Sequence, residues 1–219
     1  MLPSWAAPVR PTPQTIMAPS AEWKSHDRIE SGPPQDHSKG EVEQAAFELF
    51  GSQGFERTTI DDIAEAAGIG RRTFFRYFPS KNDIAWGDFD AELTKMRKRL
   101  AEYPADRPLL EVISDALVEF NRIGPEQASW HRQRMELILS TPALQAHSAL
   151  RYADWRQALA EFVARRLDVA PDSLAPQAIA YATLGVALAA YEQWLRTPGA
   201  DLAGLLTAGM AELRTQLAG

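Results

Sequence analysis

From Glu41 onward apolar residues recur every three to four positions, and before it they do not. Val42, Ala45, Ala46, Leu49 and Phe50 fall on one face of a helix that Gly51 and Gly54 bring to an end. Ile60, Ile63, Ala64 and Ala67 repeat the pattern behind Thr59, an N-cap with Asp62 three residues later. Gly68-Ile69 interrupts, and a third short helix runs to Pro79. Ser80 and Asp83 read as another cap signature. They open a long fourth helix with Trp86, Phe89, Leu93, Met96 and Leu100 on its inner face. Further helices are punctuated at Tyr103–Pro108, Gly124-Pro125, Thr141-Pro142, Pro171 and Pro198-Gly199. With no alternating strand pattern and no internal repeat, the spacing predicts an all-α chain of about nine helices.

Residues 1–35 form a separate zone. "LPSWAAPVRPTPQTIMAPS" is proline-rich and aperiodic, and "SGPPQ" closes it. Too little periodic apolar surface is present to offset the entropy of ordering, so the segment is expected to be a disordered tail. A later start, at Met17 or beyond, is the competing account of part of it. The organisation expected is this tail, a DNA-binding domain over 36–82, and a ligand-binding and dimerisation domain over 83–219.

Composition narrows the chemistry. The chain has no cysteine, which excludes disulfides, zinc–thiolate sites and thiol nucleophiles and fits a reducing cytoplasm. No run reaches the ~20 apolar residues of a membrane span, and "AIAYATLGVALAAY" (Ala178–Tyr191) reads as a buried helix. The N-terminus lacks a signal-peptide pattern. A net charge of −6 argues against diffuse binding to polyanions, so any such binding needs a local patch.

One stretch supplies that patch. "GIGRRTFFRYFPSK", Gly68 to Lys81, carries four cations (Arg71, Arg72, Arg76, Lys81), three phenylalanines, one tyrosine and no acid. Three short helices with a glycine between the second and third suggest a helix-turn-helix, whose last helix lies in the major groove of DNA. Phe74 and Phe78, four apart, can pack inward on Ile60, Ile63 and Phe50. Arg71, Arg72, Thr73, Phe75, Arg76 and Tyr77 are then left outside. Arginine can bridge guanine O6 and N7 or clamp a phosphate, and Phe75 or Thr73 can touch a thymine methyl. Tyr77 and Lys81, together with free N–H groups at Thr58-Thr59 and Ser80, are expected along the phosphates. A merely solvated helix face would normally mix signs, and this one does not.

"TTIDDIAEAAGIGRRTFFRYFPSKNDI" resembles the DNA-binding signature of the TetR family of bacterial transcriptional regulators, over about 50 residues from Glu41. More narrowly, "GIGRRTFFRYFPSKNDIAWGDFD", "TPALQAHSALRYADWR" and "LGVALAAYEQWL" resemble the regulators that accompany mycofactocin biosynthesis clusters. The resemblance implies a repressor of a palindromic DNA operator, a homodimer joined through its last two helices, and a long-chain acyl-CoA type effector. The proline-rich tail stands where the family often has a short basic arm, which leaves minor-groove contacts from such an arm in doubt.

Beyond the fourth helix, Tyr181, Leu184, Leu188, Tyr191 and Leu195 form one stripe, and Gly185, Val186, Ala189 and Ala190 a small-residue face. Leu206 and Met210 belong to the stripe of the following helix. These stripes could form a monomer's core, but paired at the C-terminus they favour a dimer. Trp130, His131, Arg134, Met135, Trp155 and Tyr181 are the candidates to line an effector pocket, though Tyr152, Trp155, Leu159 and Phe162 at helical spacing also suit a core. Arg132, Arg134, Arg151 and Arg156 are offered to the phosphates of coenzyme A.

No metal-spaced set, nucleophile elbow or phosphate-cradling loop appears, and Asp61-Asp62 complement a helix dipole, so neither an enzyme nor a resident cofactor is expected. Two rivals remain: an activator or effector-independent regulator, and a helical acyl-CoA-binding carrier or enzyme without operator specificity.

Overall fold

The structure, a computed structural model, describes residues 38–217. The proline-rich segment 1–35 lies outside the described residues. Ten α-helices follow one another: α1 (Lys39–Gln53), α2 (Ile60–Ala66), α3 (Arg71–Tyr77), α4 (Lys81–Ile84), α5 (Phe89–Glu102), α6 (Leu109–Phe120), α7 (Ala128–Ser140), α8 (Pro142–Leu167), α9 (Leu174–Arg196) and α10 (Leu202–Leu217). A 3-10 turn, Pro125–Gln127, precedes α7, and there is no strand among the described residues.

The count exceeds the expected nine because the long fourth helix is two. Gly87, at φ +55, turns the chain between α4 and α5 in a conformation that side-chain-bearing residues rarely adopt. Ser80 does not cap α4. Its hydroxyl donates to the Asp83 carboxylate instead, at 2.7 Å.

Local signals set the first helices. Ser38 and Glu41 form a capping box on α1, and Thr59 and Asp62 form one on α2. Phe47, Phe50, Phe55, Ile63, Phe74, Phe78 and Ile84 make their common core. Phe50 lies 4.9 Å from Phe55, and Phe74 lies 5.9 Å from Phe78, between ring centroids.

In the C-terminal part α8 packs along α9, and α9 along α10. α10 also meets α6, while α5 and α7 flank α8. Gly209 lets α10 approach α9 closely, since a Cβ there would come within 2.7 Å of Val186 Cγ1. α9 is long and apolar enough to match a membrane span by length and composition, but Ala180, Ala187, Ala190, Tyr191 and Trp194 bury one side of it in the bundle.

Candidate nucleic-acid interface and effector core

The turn into α3 follows from Gly68, at φ +65, where the Ile69 N–H reaches back to the Ala64 carbonyl at 2.9 Å. α3 then anchors itself through Phe74 and, just past its end, Phe78, which are 0% and 1% exposed. Arg71, Arg72, Phe75 and Arg76 lie exposed, with Thr73 and Tyr77 half-buried beside them. Arg71 donates to Asp61 at 2.6 Å and lies over the Phe75 ring. Arg76 covers the Tyr77 ring and donates to its hydroxyl at 3.0 Å. Arg72 has no partner among the described residues, which leaves its fork open to an incoming ligand.

Three residues expected along the phosphates are already engaged by the protein. The side chain of Thr58 is buried and its hydroxyl donates to the Gly54 carbonyl at 2.9 Å. The N–H groups of Thr58 and Thr59 are taken as well, by Gly54 O and the Asp62 carboxylate. Lys81 donates to the carbonyls of Phe55 and Thr58 at 2.7 and 2.9 Å and lies over the Phe55 ring. Its burial there lowers the ammonium pKa. A chain-closing role for Lys81 was missed because those carbonyls come from the turn between α1 and α2, more than 20 residues away in sequence.

α7 divides the predicted pocket residues between two places. Trp130 lies against Phe47 of α1 with centroids 4.5 Å apart. Arg134 forms a largely buried ion pair with Glu43 of α1 and sits against Gly87. Burial pushes the Arg134 guanidinium down to about 10. These two residues therefore join the first three helices to the rest of the chain.

A second tie runs from α4 to α8. Asp83 accepts from Arg151 at 2.8 Å and from Ser80, and contacts His147 at 3.0 Å; Arg151 also reaches Asp90. Burial alone would raise the Asp83 pKa, but these hydrogen bonds and the neighbouring His147 outweigh it and hold the carboxyl below its ordinary range.

His131, Met135 and Trp155 point instead into the bundle. Tyr191 donates to Asn121 Oδ1 at 2.8 Å and contacts His131 Nε2 at 2.9 Å, so the network assigns the proton of that pair to the histidine. Burial lowers the His131 pKa to about 4. Burial, with Tyr152 nearby, pushes the Tyr191 phenol up. Tyr181 is 57% exposed, with Arg156 over its ring at 4.1 Å. Arg132 is used at the end of α9, where it donates to Trp194 O and Leu195 O. Among the described residues, Arg156 alone of the four arginines offered to phosphates faces no carboxylate or carbonyl.

The cleft between α5 and α6, lined by Met96, Tyr103 and Phe120 among others, holds only about 10 Å³, room for roughly one water. None of the six candidate pocket residues lines it. Among the described residues no group of three or more His, Asp or Glu is placed to hold a metal.

The predicted dimer stripe is also divided. Tyr191, Leu206 and Met210 belong to the protomer's own core, while Leu184, Leu188 and Leu195 are half-buried. The outward face of α9 and α10 carries small residues, Ala178, Gly185, Ala189, Ala203, Ala208 and Ala211, beside the larger exposed Leu174, Tyr181, Glu192 and Glu212.

Comparison with known proteins matches residues 44–85 to the bacterial regulatory proteins of the tetR family, and residues 107–218 to the MftR C-terminal domain. A protein of Mycobacterium tuberculosis named as the mycofactocin biosynthesis transcriptional regulator MftR is 44% identical over 167 residues, covering 76% of this chain and 84% of the relative. Among solved structures, Thermus thermophilus FadR, a TetR-family repressor in complex with lauroyl-CoA, superposes with TM-score 0.53 at 22% identity, covering 81% of this chain and 93% of that one. Bacillus subtilis FadR in complex with stearoyl-CoA does so with TM-score 0.53 at 15% identity, covering 80% and 97%. At those identities the likeness is one of fold. The helix-turn-helix, the ten-helix order and both domain matches place the chain in the TetR family of bacterial transcriptional regulators, with a C-terminal domain of the MftR type.

Proposed function

We propose that this regulator is a homodimeric, cytoplasmic repressor that an acyl-CoA releases from a near-palindromic operator. The observation that carries the DNA-reading part is α3. Two buried phenylalanines hold it down while Arg71, Arg72, Thr73, Phe75, Arg76 and Tyr77 line its outer side without an acid among them. Arg72 is the residue assigned to base edges, because its fork is uncommitted. Arg71 is held ready by Asp61, and Arg76 with Tyr77 is placed for phosphate. Thr58 and Lys81 support this surface from behind, and Thr59 caps α2.

The dimer is supported by the small residues on the outward face of α9 and α10, which let a second copy approach closely. Twofold symmetry would set two α3 helices roughly 34–36 Å apart on successive major grooves. The effector class is supported by the acyl-CoA complexes of the two FadR structures that share the fold. Release requires that ligand bind the DNA-incompetent arrangement more tightly; affinity alone shifts nothing. The ties Glu43–Arg134 and Asp83–Arg151 are where a change in the bundle would reach the first four helices.

The test is fluorescence anisotropy of the chain on DNA from upstream of its own gene, with lauroyl-CoA and free coenzyme A titrated into the complex. Release by lauroyl-CoA alone supports the reading. A complex that ignores both ligands discards the effector, and a reporter that falls when the gene is deleted would make the protein an activator.

A further inference from the structure

Four buried side-chain nitrogen or oxygen atoms have no hydrogen-bond partner among the described residues: Trp86 Nε1, Arg134 Nε, Tyr152 Oη and Arg166 Nη1. The two arginines use other nitrogens, on Glu43 and on the Arg107 carbonyl. Trp86 and Tyr152 have one polar side-chain atom each, and in both it is left over. Ser148 stands beside the Tyr152 hydroxyl without completing a hydrogen bond to it, and gives its own proton to Leu144 O.

The two residues come from different elements, Trp86 from the break between α4 and α5 and Tyr152 from α8. Their rings meet edge to face at 5.6 Å. Buried N–H and O–H groups are nearly always paired, because an unmade hydrogen bond in the interior is costly. Two such groups in one aromatic contact therefore point to something that accepts from them.

The surroundings say what that acceptor is. Phe89 lies 5.3 Å from Trp86, Phe120 lies 6.0 Å from Phe89, and Trp155 lies 6.2 Å from Phe120, an apolar wall leading away from the pair. Both leftover groups can donate, so the complement is an oxygen with lone pairs. Among the described residues the one cation lying over these rings is Arg151, on Phe89, and both of its terminal nitrogens are paired, with Asp83 and Asp90. His131 is neutral in the interior and bonded to Tyr191. With no uncommitted cation lying over these rings among the described residues, a carboxylate there would be buried without compensation, whereas a neutral carbonyl would not.

We infer that Trp86 Nε1–H and Tyr152 Oη–H form a subsite for a neutral carbonyl oxygen on an apolar chain. On the acyl-CoA reading above, on which this rests, that oxygen is the thioester carbonyl, and the acyl chain runs along Phe89, Phe120 and Trp155. The subsite also has a route to the DNA-binding helices. Trp86 is three residues from Asp83 and next to Gly87, against which Arg134 packs. A ligand that draws on Trp86 acts on the segment where both ties to the bundle are made.

The experiment compares two probes, lauroyl-CoA and its S-dodecyl thioether, which has the same chain and coenzyme but no carbonyl. Dissociation constants are measured for the wild-type chain, Trp86→Phe and Tyr152→Phe, with operator affinity as the check on folding. Wild-type protein should bind lauroyl-CoA at least tenfold more tightly than the thioether. Each variant should lose most of that preference while keeping operator affinity and thioether binding. Equal affinity of the wild type for the two probes, or variants that keep the preference, overturns the subsite and leaves the acyl-CoA effector standing. Failure of the wild type to bind either probe removes the effector reading and the subsite with it.

Discussion

The first four helices and the bundle that follows are built by different kinds of instruction. In the former, single residues dictate backbone: Thr59 and Asp62 start α2, Gly54 and Gly68 adopt left-handed φ at the turns, and Phe74 fixes which side of α3 faces in. In the bundle, the roles of Arg132, Arg134 and Arg151 are set by partners 62 to 91 positions away, on α9, α1 and α4. Local geometry is written where it acts. A tertiary partner is not.

The largest effect expected from breaking this contrast is at Phe74. Phe74→Ala should cost about 3–5 kcal/mol in urea unfolding and abolish operator binding, because α3 loses its anchor. A smaller loss with binding intact would mean that α3 is held by something other than its aromatic pair.

The bundle answers differently. Glu43→Ala leaves the Arg134 guanidinium, 18% exposed, without its carboxylate, and about 3 kcal/mol of stability should go with it. If Arg134 were instead a pocket wall, the change would spare stability and Arg134→Ala would weaken effector binding.

His131 sharpens the point with pH. Its folded pKa, about 4, lies below its ordinary 6.5, so between those values the unfolded chain binds the extra proton. Stability should rise with pH across that window by about 3 kcal/mol and be level above it. His131→Gln should flatten this acid limb, measured as urea midpoints from pH 4 to 7. Asp83, with its depressed pKa, adds a loss only at lower pH, as its carboxylate takes up a proton.

The smallest effect is local again. Thr59→Ala removes one capping box and should cost ~1 kcal/mol, with little change in which DNA is preferred.

These differences explain what was legible in the sequence. The all-α class, the helix-turn-helix and most helix boundaries followed from periodicity, caps and proline breaks. The division of the fourth helix did not, because "IAWGDFD" continues an apolar stripe through Gly87, and the left-handed φ and the close approach of Arg134 that require glycine there appear only in the fold. Lys81 looked like a phosphate ligand because charge at a helix start reads that way; its true acceptors are two carbonyls of a distant turn. Tyr191 fell on a plausible dimer stripe, yet its hydroxyl is tied to Asn121 inside the protomer. The leftover donors of Trp86 and Tyr152 had no sequence signal, since neither residue differs in type from an ordinary core aromatic.

The most direct test of α3 as the reader of DNA is a single anisotropy comparison at near-physiological salt, where nonspecific phosphate binding is suppressed. Wild-type and Arg72→Ala chains are titrated onto upstream DNA and onto scrambled DNA. The account predicts that the variant loses ~1–3 kcal/mol on upstream DNA, and much less on scrambled DNA. Equal losses on both would contradict it, placing Arg72 on the phosphates and the reading of bases elsewhere.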